Sequence, residues 1–404
     1  MKEILVLGSN FAGATAAIQL SRKLKKEDVN ITVISPSEDF IYIPSLIWVP
    51  FGKRRIDEIT FKITKVFARK KINFIKDKAV KVDPEVQIVE TETSGDFVYD
   101  YLVIATGAGL NFDSIKGFSR KEAFTSCIVT PAMALEAYEG YKKLIEDPGP
   151  VVIGATQGAS CMGASYEYLF NLDRQLRKDG LRKKVPITWV TPEPYLGHFG
   201  IGGIRGGEKM LKAFMKLYGI DYRVNTGVKE FQKDRLILDS GEVLKYKYAM
   251  FMPPFVGANV IHNSPGLGDE KGFIPCDDSY KHLHYDNIYA AGLSVKVIAP
   301  FKPEGPAFGV PKTGYPTDMQ GKIVAFNIAE KIKGTNKIHQ KAFGKIPAVC
   351  VMDAGDKEVW IFANNLFKPR AIEVMIPNVF WNFMKRFLEK YMLIKNRRGW
   401  TFLP

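Results

Sequence analysis

The chain has 404 residues, of which 46% are hydrophobic and 25% charged, enough apolar sequence for two globular domains and a further C-terminal region. No apolar run reaches the about 20 residues of a transmembrane helix, and the N-terminus leads straight into a predicted strand, so we predict neither a membrane span nor a signal peptide. The net charge of +14 favours anionic partners, with a lysine-rich surface of a heat-stable protein as the alternative, and no nucleic-acid-binding motif is present. The four cysteines, Cys127, Cys161, Cys276 and Cys350, are too widely spaced for a zinc motif.

The N-terminal segment has the pattern of a βαβ unit: a strand over residues 4–7, a glycine turn over 8–13, a helix over 14–25 and a strand over 30–34. Gly8 and Gly13 hold the outer positions of a GxGxxG motif, but Asn10 replaces the middle glycine. Ser35 stands where an acidic residue usually binds a ribose. This turn predicts a dinucleotide site, and another kind of α/β turn is the alternative.

Two later segments complete the pattern of an FAD-binding half. Residues 99–107 form a predicted buried strand that ends in Ala105-Thr106-Gly107, and residues 287–292 form another that ends at Gly292. An aspartate usually follows that glycine in two-dinucleotide flavoproteins, but Leu293 stands there. One common hydrogen bond to FAD is therefore absent, and another contact must hold the cofactor.

A second βαβ unit is predicted in the middle of the chain. A strand over 150–153 enters a glycine-rich turn over 154–160, Cys161 follows, and a helix over 164–177 leads to a strand over 186–190. Thr191 follows that strand, and Glu193 comes two residues too late to bind an NADH ribose. We therefore predict a nucleotide fold that no longer binds a nicotinamide and that carries a thiol at its edge.

From Pro377-Asn378 onward the sequence predicts a C-terminal amphipathic helix. Its apolar stripe is Val379, Phe380, Phe383, Met384, Phe387, Leu388, Tyr391, Met392 and Ile394, and its basic residues are Lys385, Arg386, Lys390, Lys395, Arg397 and Arg398. A wide apolar face with aromatic rings and basic flanks is typical of a helix in a membrane interface. A helix packed on its own core or on a neighbouring subunit is the alternative.

Along nearly its whole length the chain resembles the sulfide:quinone oxidoreductases, membrane-associated relatives of the disulfide reductases. The sharpest matches are residues 154–161, 193–200, 309–314 and 348–350, and Cys127, Cys161 and Cys350 fall at the family's three cysteine positions. Cys276 matches none of them and is predicted to be an ordinary buried thiol. The resemblance implies an α/β fold with two Rossmann-like dinucleotide-binding domains and a C-terminal amphipathic membrane-binding segment. The implied limits are residues 1–108 and 286–345 for FAD, 109–285 for the degenerate nicotinamide-type domain, and 346–404 for the quinone- and membrane-binding region.

Members of this family hold FAD and pass two electrons from sulfide to a membrane quinone. The resemblance implies that Cys161 and Cys350 are the redox pair, and that sulfur collects between them and leaves as polysulfide or elemental sulfur. Cys127 corresponds to a cysteine that is linked covalently to FAD in some relatives and assists the sulfur chemistry in others, with an inert thiol as the alternative. Glu167 is expected to relay protons, or else to face solvent, and His198 to orient sulfide or move protons, or else to be structural. Lys312 is expected to stabilise the reduced flavin and protonate the quinone.

The resemblance also implies a set of binding residues and partners. The residues expected to bind FAD are Gly8, Asn10, Phe11, Ala12, Gly13, Ser35, Ala79, Ala105, Thr106, Gly107, Cys127, Gly292, Lys312 and Gly314. The residues expected to line the quinone site are Val349, Phe387 and Leu388, and close relatives carry an aromatic ring at the position of Leu388. The expected partners are sulfide, a membrane quinone, the cytoplasmic membrane surface and further copies of the chain in a dimer or trimer, but not nucleic acid.

Three rival functions predict different features. A type II NADH:quinone dehydrogenase shares the fold, FAD and membrane helix, but it needs an intact second nucleotide turn followed by an acidic residue. A periplasmic flavocytochrome sulfide dehydrogenase subunit needs a secretion signal. A non-catalytic flavin-binding or membrane-scaffold protein leaves Cys161, Cys350 and Lys312 without a role.

Overall fold

The structure is a computed structural model of the chain, and it describes residues 1–119, 125–378 and 383–403. The strands are β1 (Lys2–Leu7), β2 (Val29–Ser35), β3 (Asp39–Ile41), β4 (Thr60–Lys62), β5 (Asn73–Lys76), β6 (Ala79–Asp83), β7 (Ile88–Thr91), β8 (Asp96–Val98), β9 (Tyr101–Ile104), β10 (Ala108–Leu110), β11 (Thr125–Ser126), β12 (Val151–Ala155), β13 (Ile187–Val190), β14 (Ile220–Arg223), β15 (Val228–Phe231), β16 (Arg235–Leu238), β17 (Val243–Lys245), β18 (Tyr248–Met252), β19 (Phe255–Gly257), β20 (Ile288–Ala290), β21 (Ala348–Asp353), β22 (Glu358–Ala363) and β23 (Glu373–Asn378). The α-helices are α1 (Phe11–Lys23), α2 (Thr64–Arg69), α3 (Pro131–Glu146), α4 (Met162–Lys178), α5 (Gly207–Tyr218), α6 (Asn259–His262), α7 (Gly314–Ile332) and α8 (Met384–Arg398). Short 3-10 helices cover Ile43–Phe51, Ile56–Ile59, Phe112–Ser114, Arg182–Lys184, Gly292–Ser294 and Phe343–Lys345.

The first sheet has the order β20-β9-β1-β2-β5, and all its neighbouring strands are parallel. Residues 4–7 of β1 are all buried, as expected for a parallel sheet covered on both faces. Helices α1 and α7 pack against each other and contribute buried apolar side chains to the core of this sheet. The carboxyl ends of β1, β9 and β20 therefore share one edge, where ligands bind in open α/β sheets.

The second sheet has the order β11-β18-β12-β13-β14 and is also parallel. Helix α4 packs against β12 and β18, and it buries large aromatic side chains in the core of this sheet. The predicted strand over 150–153 and helix over 164–177 correspond to β12 and α4. The predicted α/β fold is thus confirmed, whereas the domain limits given above stay a prediction.

The C-terminal region begins with an antiparallel sheet, β21-β22-β23, and ends with α8. The predicted helix start at Pro377-Asn378 is wrong, because both residues belong to β23 and Pro377 is paired with Val359 of β22. A proline is tolerated there since β23 is the edge strand, whose outer N–H groups need no partner. Helix α8 begins at Met384, and Val379 and Phe380 of the predicted stripe lie outside the described residues.

None of the helices in the described ranges is both long and apolar enough to cross a bilayer.

Candidate active site

The turn between β1 and α1 is too tight for any residue but glycine at two positions. A Cβ atom on Gly8, whose φ is +103°, would lie 2.3 Å from the carbonyl oxygen of Ala105, and one on Gly13 would lie 2.0 Å from that of Gly8. Asn10 precedes α1, and its Oδ1 atom is buried with no hydrogen-bond partner among the described residues. These features fit a dinucleotide such as FAD, because its diphosphate can accept from the helix N-terminus and its hydroxyls can donate to Asn10.

The first turn of α1 also contacts the other segments predicted to bind FAD. A Cβ atom on Gly292 would lie 3.3 Å from the Cβ atom of Ala12, and one on Gly314 would lie 3.4 Å from the Phe11 ring. The start of α1 therefore lies against Gly292, two residues after β20, and against the start of α7. That Phe11, Ala12, Gly292 and Gly314 bind FAD stays a prediction.

Polar groups at the end of β9 are joined to the turn that follows β20. The Thr106 hydroxyl lies 3.2 Å from the Ser294 hydroxyl, which donates to the carbonyl oxygen of Gly107 at 3.2 Å. The Gly292 N–H donates to Oε1 of Gln320 at 2.7 Å. Sequence reasoning missed Gln320, because a single amide in the middle of a helix forms no motif.

Two predicted cofactor residues lie in different surroundings. Ser35 ends β2, and its hydroxyl oxygen accepts a hydrogen bond from the Ser9 hydroxyl at 2.9 Å. Ala79 begins β6 in the antiparallel sheet β6-β7-β8, where it is partly buried against the core of the first sheet. Ser35 thus lies at the carboxyl edge of the first sheet, whereas Ala79 lies in a separate sheet.

Lys312 extends to the loop that follows β20. Its ammonium group donates to the carbonyl oxygens of Leu293 at 3.0 Å and Val295 at 2.5 Å, and it lies 4.1 Å from the centre of the Phe273 ring. Burial lowers the pKa of Lys312 to about 7, and the charge of Asp269 opposes this shift. A lysine with this pKa can exchange a proton near neutral pH.

Cys161 and Cys350, which are distant in sequence, come together at one site. Cys161 directly precedes α4, and Cys350 lies in β21, against which α4 packs. Burial raises the pKa of Cys161 to about 11, and desolvation by the surrounding protein, together with the charge of Glu167, raises that of Cys350. The charge of Cys161 further raises the pKa of Cys350, so the two thiols lie within electrostatic range of each other. Cys350 is nevertheless exposed to solvent, and no disulfide joins the described cysteines.

Glu167 is buried in α4 and does not face solvent. Its Oε1 atom accepts hydrogen bonds from the Lys385 ammonium group of α8 and from the Asp353 N–H of β21, the latter at 2.8 Å. Burial raises the pKa of Glu167, although Lys385 opposes the shift, and the charge of Glu167 raises the pKa of both Cys161 and Cys350. Such a carboxyl group can hold a proton beside the two thiols.

The 3-10 helix over Ile43–Phe51 brings in residues that sequence reasoning missed. The indole N–H of Trp48 donates to Oδ2 of Asp353 at 2.7 Å. The pKa of Tyr42, just before this helix, is raised mainly by burial and further by nearby charges that include that of Cys350. The available signal was an apolar run over residues 43–51 that two prolines interrupt, a pattern unusual for a surface loop.

His198 is buried among aromatic rings. Its ring centre lies 4.9 Å from those of Phe301 and Phe308 and 5.2 Å from that of Tyr195. Its Nδ1 atom has no hydrogen-bond partner among the described residues. Burial lowers the pKa of His198 to about 4, so the imidazole is neutral at physiological pH.

Cys127 follows β11 and is completely buried in the core of the second sheet. Tyr248 of β18 lies within electrostatic range of it: burial raises the pKa of Tyr248 to about 12, and Cys127 adds to this shift. The environment of Cys127 is thus apolar and closed to water.

The chain itself occupies backbone groups of the second glycine turn. The Gly158 N–H donates to the carbonyl oxygen of Ala307 at 2.5 Å, and the Gly309 N–H donates to that of Ala159 at 2.8 Å. In a dinucleotide site the N–H groups of this turn, such as that of Gly158, would bind a diphosphate.

Glu193, the first acidic residue after β13, is completely buried. Its carboxylate accepts from the Tyr166 hydroxyl at 3.0 Å, the Thr191 hydroxyl at 2.9 Å and the Phe199 N–H at 2.6 Å. Phe199 has a φ of +54°, so this last bond holds a non-glycine residue in the left-handed region beside His198. Burial raises the pKa of Glu193 to about 7. Its hydrogen bonds are internal, which leaves no carboxylate for a nucleotide ribose.

Helix α8 turns polar side chains inward. Lys385, Glu389, Leu393, Lys395 and Asn396 are its buried residues. Glu389 accepts from Ser45 at 2.5 Å and from Arg54 Nε at 3.0 Å, and Lys395 donates to Asp318 Oδ2 at 3.0 Å. The helix is therefore attached to the rest of the chain by ion pairs and hydrogen bonds as well as by Leu393, which is buried in the core of the first sheet.

Apolar side chains lie on the outside of this region. Phe387 and Ile394 are 56% and 52% exposed, and Phe383 before the helix is 59% exposed. Of the other predicted quinone residues, Val349 is exposed next to Cys350 and Leu388 is half-buried. The structure thus exposes only Phe383, Phe387 and Ile394 of the described part of the stripe, and it places Val349 on β21 and Phe387 and Leu388 on α8.

Comparisons with known proteins agree with this architecture. Residues 2–299 match the family of pyridine nucleotide-disulphide oxidoreductases. The chain is similar to the sulfide-quinone reductase of Aquifex aeolicus, with 32% identity over 98% of this chain and 92% of that protein. The X-ray structure of the A. aeolicus sulfide:quinone oxidoreductase superposes with a TM-score of 0.93 at 31% identity, covering 99% of this chain and 92% of that one. A type II NADH:quinone oxidoreductase of Staphylococcus aureus is 23% identical over 82% of this chain and 83% of its own length. The chain therefore belongs to the pyridine nucleotide-disulphide oxidoreductases and, within them, to the sulfide:quinone oxidoreductases.

Proposed function

We infer that the chain is an FAD-dependent sulfide:quinone oxidoreductase, which oxidises sulfide to polysulfide or elemental sulfur and reduces a membrane quinone. The observation that carries this function is that α4 packs on β21, so that Cys161, Cys350 and the buried Glu167 lie within electrostatic range of one another. A type II NADH:quinone dehydrogenase would need the N–H group of Gly158, which is bonded to Ala307, and a free acidic residue, which Glu193 is not.

The first glycine turn is proposed to hold FAD. Gly8, Asn10 and Gly13 would lie at the diphosphate, and Thr106 and Lys312 would lie further along the same edge. When bound, FAD supplies a group that accepts two electrons and passes them on. Lys312 can place positive charge at this edge, or release a proton there, because its pKa is about 7.

The two cysteines are proposed to handle the sulfur. A sulfide ion attacks one sulfur of an oxidised Cys161–Cys350 bridge, a new sulfur–sulfur bond forms, and the other cysteine leaves as a thiolate. Because the surrounding protein raises the pKa of both thiols, that thiolate is strongly basic and needs a proton or a cation nearby. Glu167, with Lys385 bound to it, is proposed to hold that proton, and the neutral His198 to orient the incoming sulfide.

Cys127 is proposed to be linked covalently to FAD. A tether would offset the contact that Leu293 cannot make, and complete burial protects the thiol from competing reactions. Acid denaturation of the yellow protein tests this link. Flavin that stays with the unsubstituted chain but separates from Cys127→Ser supports it, whereas flavin that separates from both overturns it.

Peripheral attachment to the cytoplasmic face of a membrane is proposed to occur through the outward face of α8. Phe383, Phe387 and Ile394 would enter the interface, because they are large, apolar and exposed. The quinone would then enter near Val349 and Leu388. From the resemblance, two or three copies of the chain are proposed to assemble.

An anaerobic titration of the purified protein tests the proposed activity. Sulfide is expected to bleach the absorption band of the oxidised flavin, and a quinone added afterwards is expected to restore it. NADH, titrated separately, is expected to leave the band unchanged. Bleaching by NADH alone would overturn the function in favour of a type II NADH dehydrogenase.

A further inference from the structure

A basic groove lies beside the C-terminal end of α8. It has a volume of about 430 Å³ and is lined by Phe61, Lys62, Lys65, Val66, Arg69 and Arg397. Its lysines and arginines are all exposed. The positive charge of the groove is therefore exposed to solvent.

Most of this charge is not neutralised by the protein. Within the described ranges, Lys65, Arg69 and Arg397 form no ion pair with a carboxylate. Lys62 differs, because its ammonium group lies 3.3 Å from Glu38 and 3.1 Å from Asp39. Three cations are therefore available to one anionic group, and a groove with surplus positive charge favours a phosphate.

Backbone contacts hold the two guanidinium groups in place. Arg69 donates from Nε to the carbonyl oxygen of Lys65 at 3.2 Å and from another nitrogen to that of Arg397. Arg397 donates to the carbonyl oxygen of Thr60 at 3.4 Å, and its guanidinium lies 5.3 Å from the centre of the Phe61 ring. Each guanidinium keeps further N–H groups, which can bind phosphate oxygens in pairs.

The groove continues the outward apolar face of α8. Ile394 is 52% exposed and lies one turn before Arg397, and Phe387 is 56% exposed and lies two turns before Ile394. Trp400, just after the helix, is 43% exposed. A ligand with an anionic head at Arg397 and an apolar chain along Ile394 matches this arrangement.

We propose that this groove binds the phosphate headgroup of an anionic phospholipid. The lipid's acyl chains then lie beside the apolar face of α8, and the groove makes membrane binding selective for anionic lipid. This inference rests on the membrane attachment proposed above, and it adds a headgroup site to it.

The test compares vesicle binding of the full-length, flavin-loaded protein by sedimentation. One set of vesicles contains phosphatidylcholine alone, and the other also contains phosphatidylglycerol. The unsubstituted protein is expected to prefer the phosphatidylglycerol vesicles. Lys65→Gln/Arg397→Gln is expected to weaken binding to those vesicles by about tenfold or more while binding to phosphatidylcholine is unchanged. The flavin spectrum and melting temperature check that the variant is folded.

The matched control is Lys183→Gln/Lys184→Gln, which removes two exposed charges in the 3-10 helix Arg182–Lys184, and it is expected to keep the preference. If both double variants lose the preference for phosphatidylglycerol vesicles equally, net charge alone explains that preference and the proposed site is overturned. Equal binding of the unsubstituted protein to both vesicle types would overturn the headgroup site alone, whereas binding to neither would overturn membrane attachment as well. A preference for the phosphatidylglycerol vesicles that Lys65→Gln/Arg397→Gln leaves unchanged would place the contact with anionic lipid elsewhere and overturn the groove.

Discussion

The ammonium group of Lys385 in α8 donates a hydrogen bond to the carboxylate of Glu167 in α4, and both side chains are buried. This ion pair joins the C-terminal helix to the helix that Cys161 precedes. Moving two charges out of water costs free energy, and the attraction between Lys385 and Glu167 offsets this cost. Removing one partner leaves the other charge buried without compensation. Helix α8 therefore contacts the carboxyl group whose charge raises the pKa of Cys161 and Cys350.

Lys385→Met is expected to lower the free energy of unfolding by about 3–5 kcal/mol, because it leaves the Glu167 carboxylate buried without its cation. Urea denaturation followed by tryptophan fluorescence measures this loss. Lys390→Met, at an exposed position of the same helix, is expected to change stability by about 0.5 kcal/mol or less. Equal losses in the two variants would show that the buried pair has no special role.

Cys350→Ser is expected to lower the rate of sulfide-dependent flavin reduction by about a thousandfold or more, the scale expected when a catalytic nucleophile is removed. Flavin content and melting temperature should stay close to those of the unsubstituted protein, because Cys350 is exposed. Stopped-flow absorbance with sulfide measures the rate. Cys276→Ser, at a thiol remote from the proposed pair, is the control, and sulfide should reduce its flavin at the normal rate. A near-normal rate of flavin reduction in Cys350→Ser would show that Cys350 takes no part in the mechanism.

Lys312 is expected to make stability depend on pH. Its pKa in the folded protein is about 7, below the ordinary value of 10.5, so the unfolded chain binds more protons between these two pH values. As the pH rises from 7 to 10.5, the free energy of unfolding of the unsubstituted protein should increase relative to that of Lys312→Met. As the pH falls through 7, this increase should be lost. Denaturation of both proteins below pH 7, and again between pH 7 and 10.5, measures the difference between their free energies of unfolding. If this difference does not vary with pH, the low pKa of Lys312 is contradicted.

Glu193→Ala is expected to destabilise the protein by about 2–4 kcal/mol, because three buried donors lose their acceptor. Since burial raises the pKa of Glu193 from 4.5 to about 7, the folded state keeps this proton to higher pH than the unfolded chain does. The stability difference between the unsubstituted protein and the variant should therefore shrink as the pH rises from 4.5 through 7. Denaturation across this range tests both points, and Glu139→Ala, at an exposed ion pair, should show neither effect.

Much of the fold follows from local sequence pattern. Gly8 and Gly13 are recognisable because a turn this tight excludes every other side chain, and the apolar runs that form β1 and β12 are typical of buried parallel strands. The missing acidic residue after β13 likewise predicted a second nucleotide turn that no longer binds a nicotinamide, and the bonds of Gly158 and Glu193 agree with that prediction.

The C-terminal region shows what local pattern could not provide. Residues 373–378 form an edge strand because β22 pairs with them, and nothing in the sequence around Pro377 indicates that β22 is the partner. The apolar stripe of α8 indicated two faces, but it did not indicate that Lys385, Glu389 and Lys395 would be buried while Phe387 and Ile394 are exposed. That outcome depends on Glu167, Arg54 and Asp318, which come from other parts of the chain and offset the desolvation of its charges.

The sequence by itself therefore determined the α/β class, the first glycine turn and the three cysteines that resemble those of a known family, because each depends on residue type and short spacing. Only the tertiary structure decided that Cys161 and Cys350 share a site, that Lys385 neutralises Glu167 and that Phe387 faces outward. These relationships join residues that are distant in sequence. Their free energy comes from burial and electrostatics that exist only once the chain has folded.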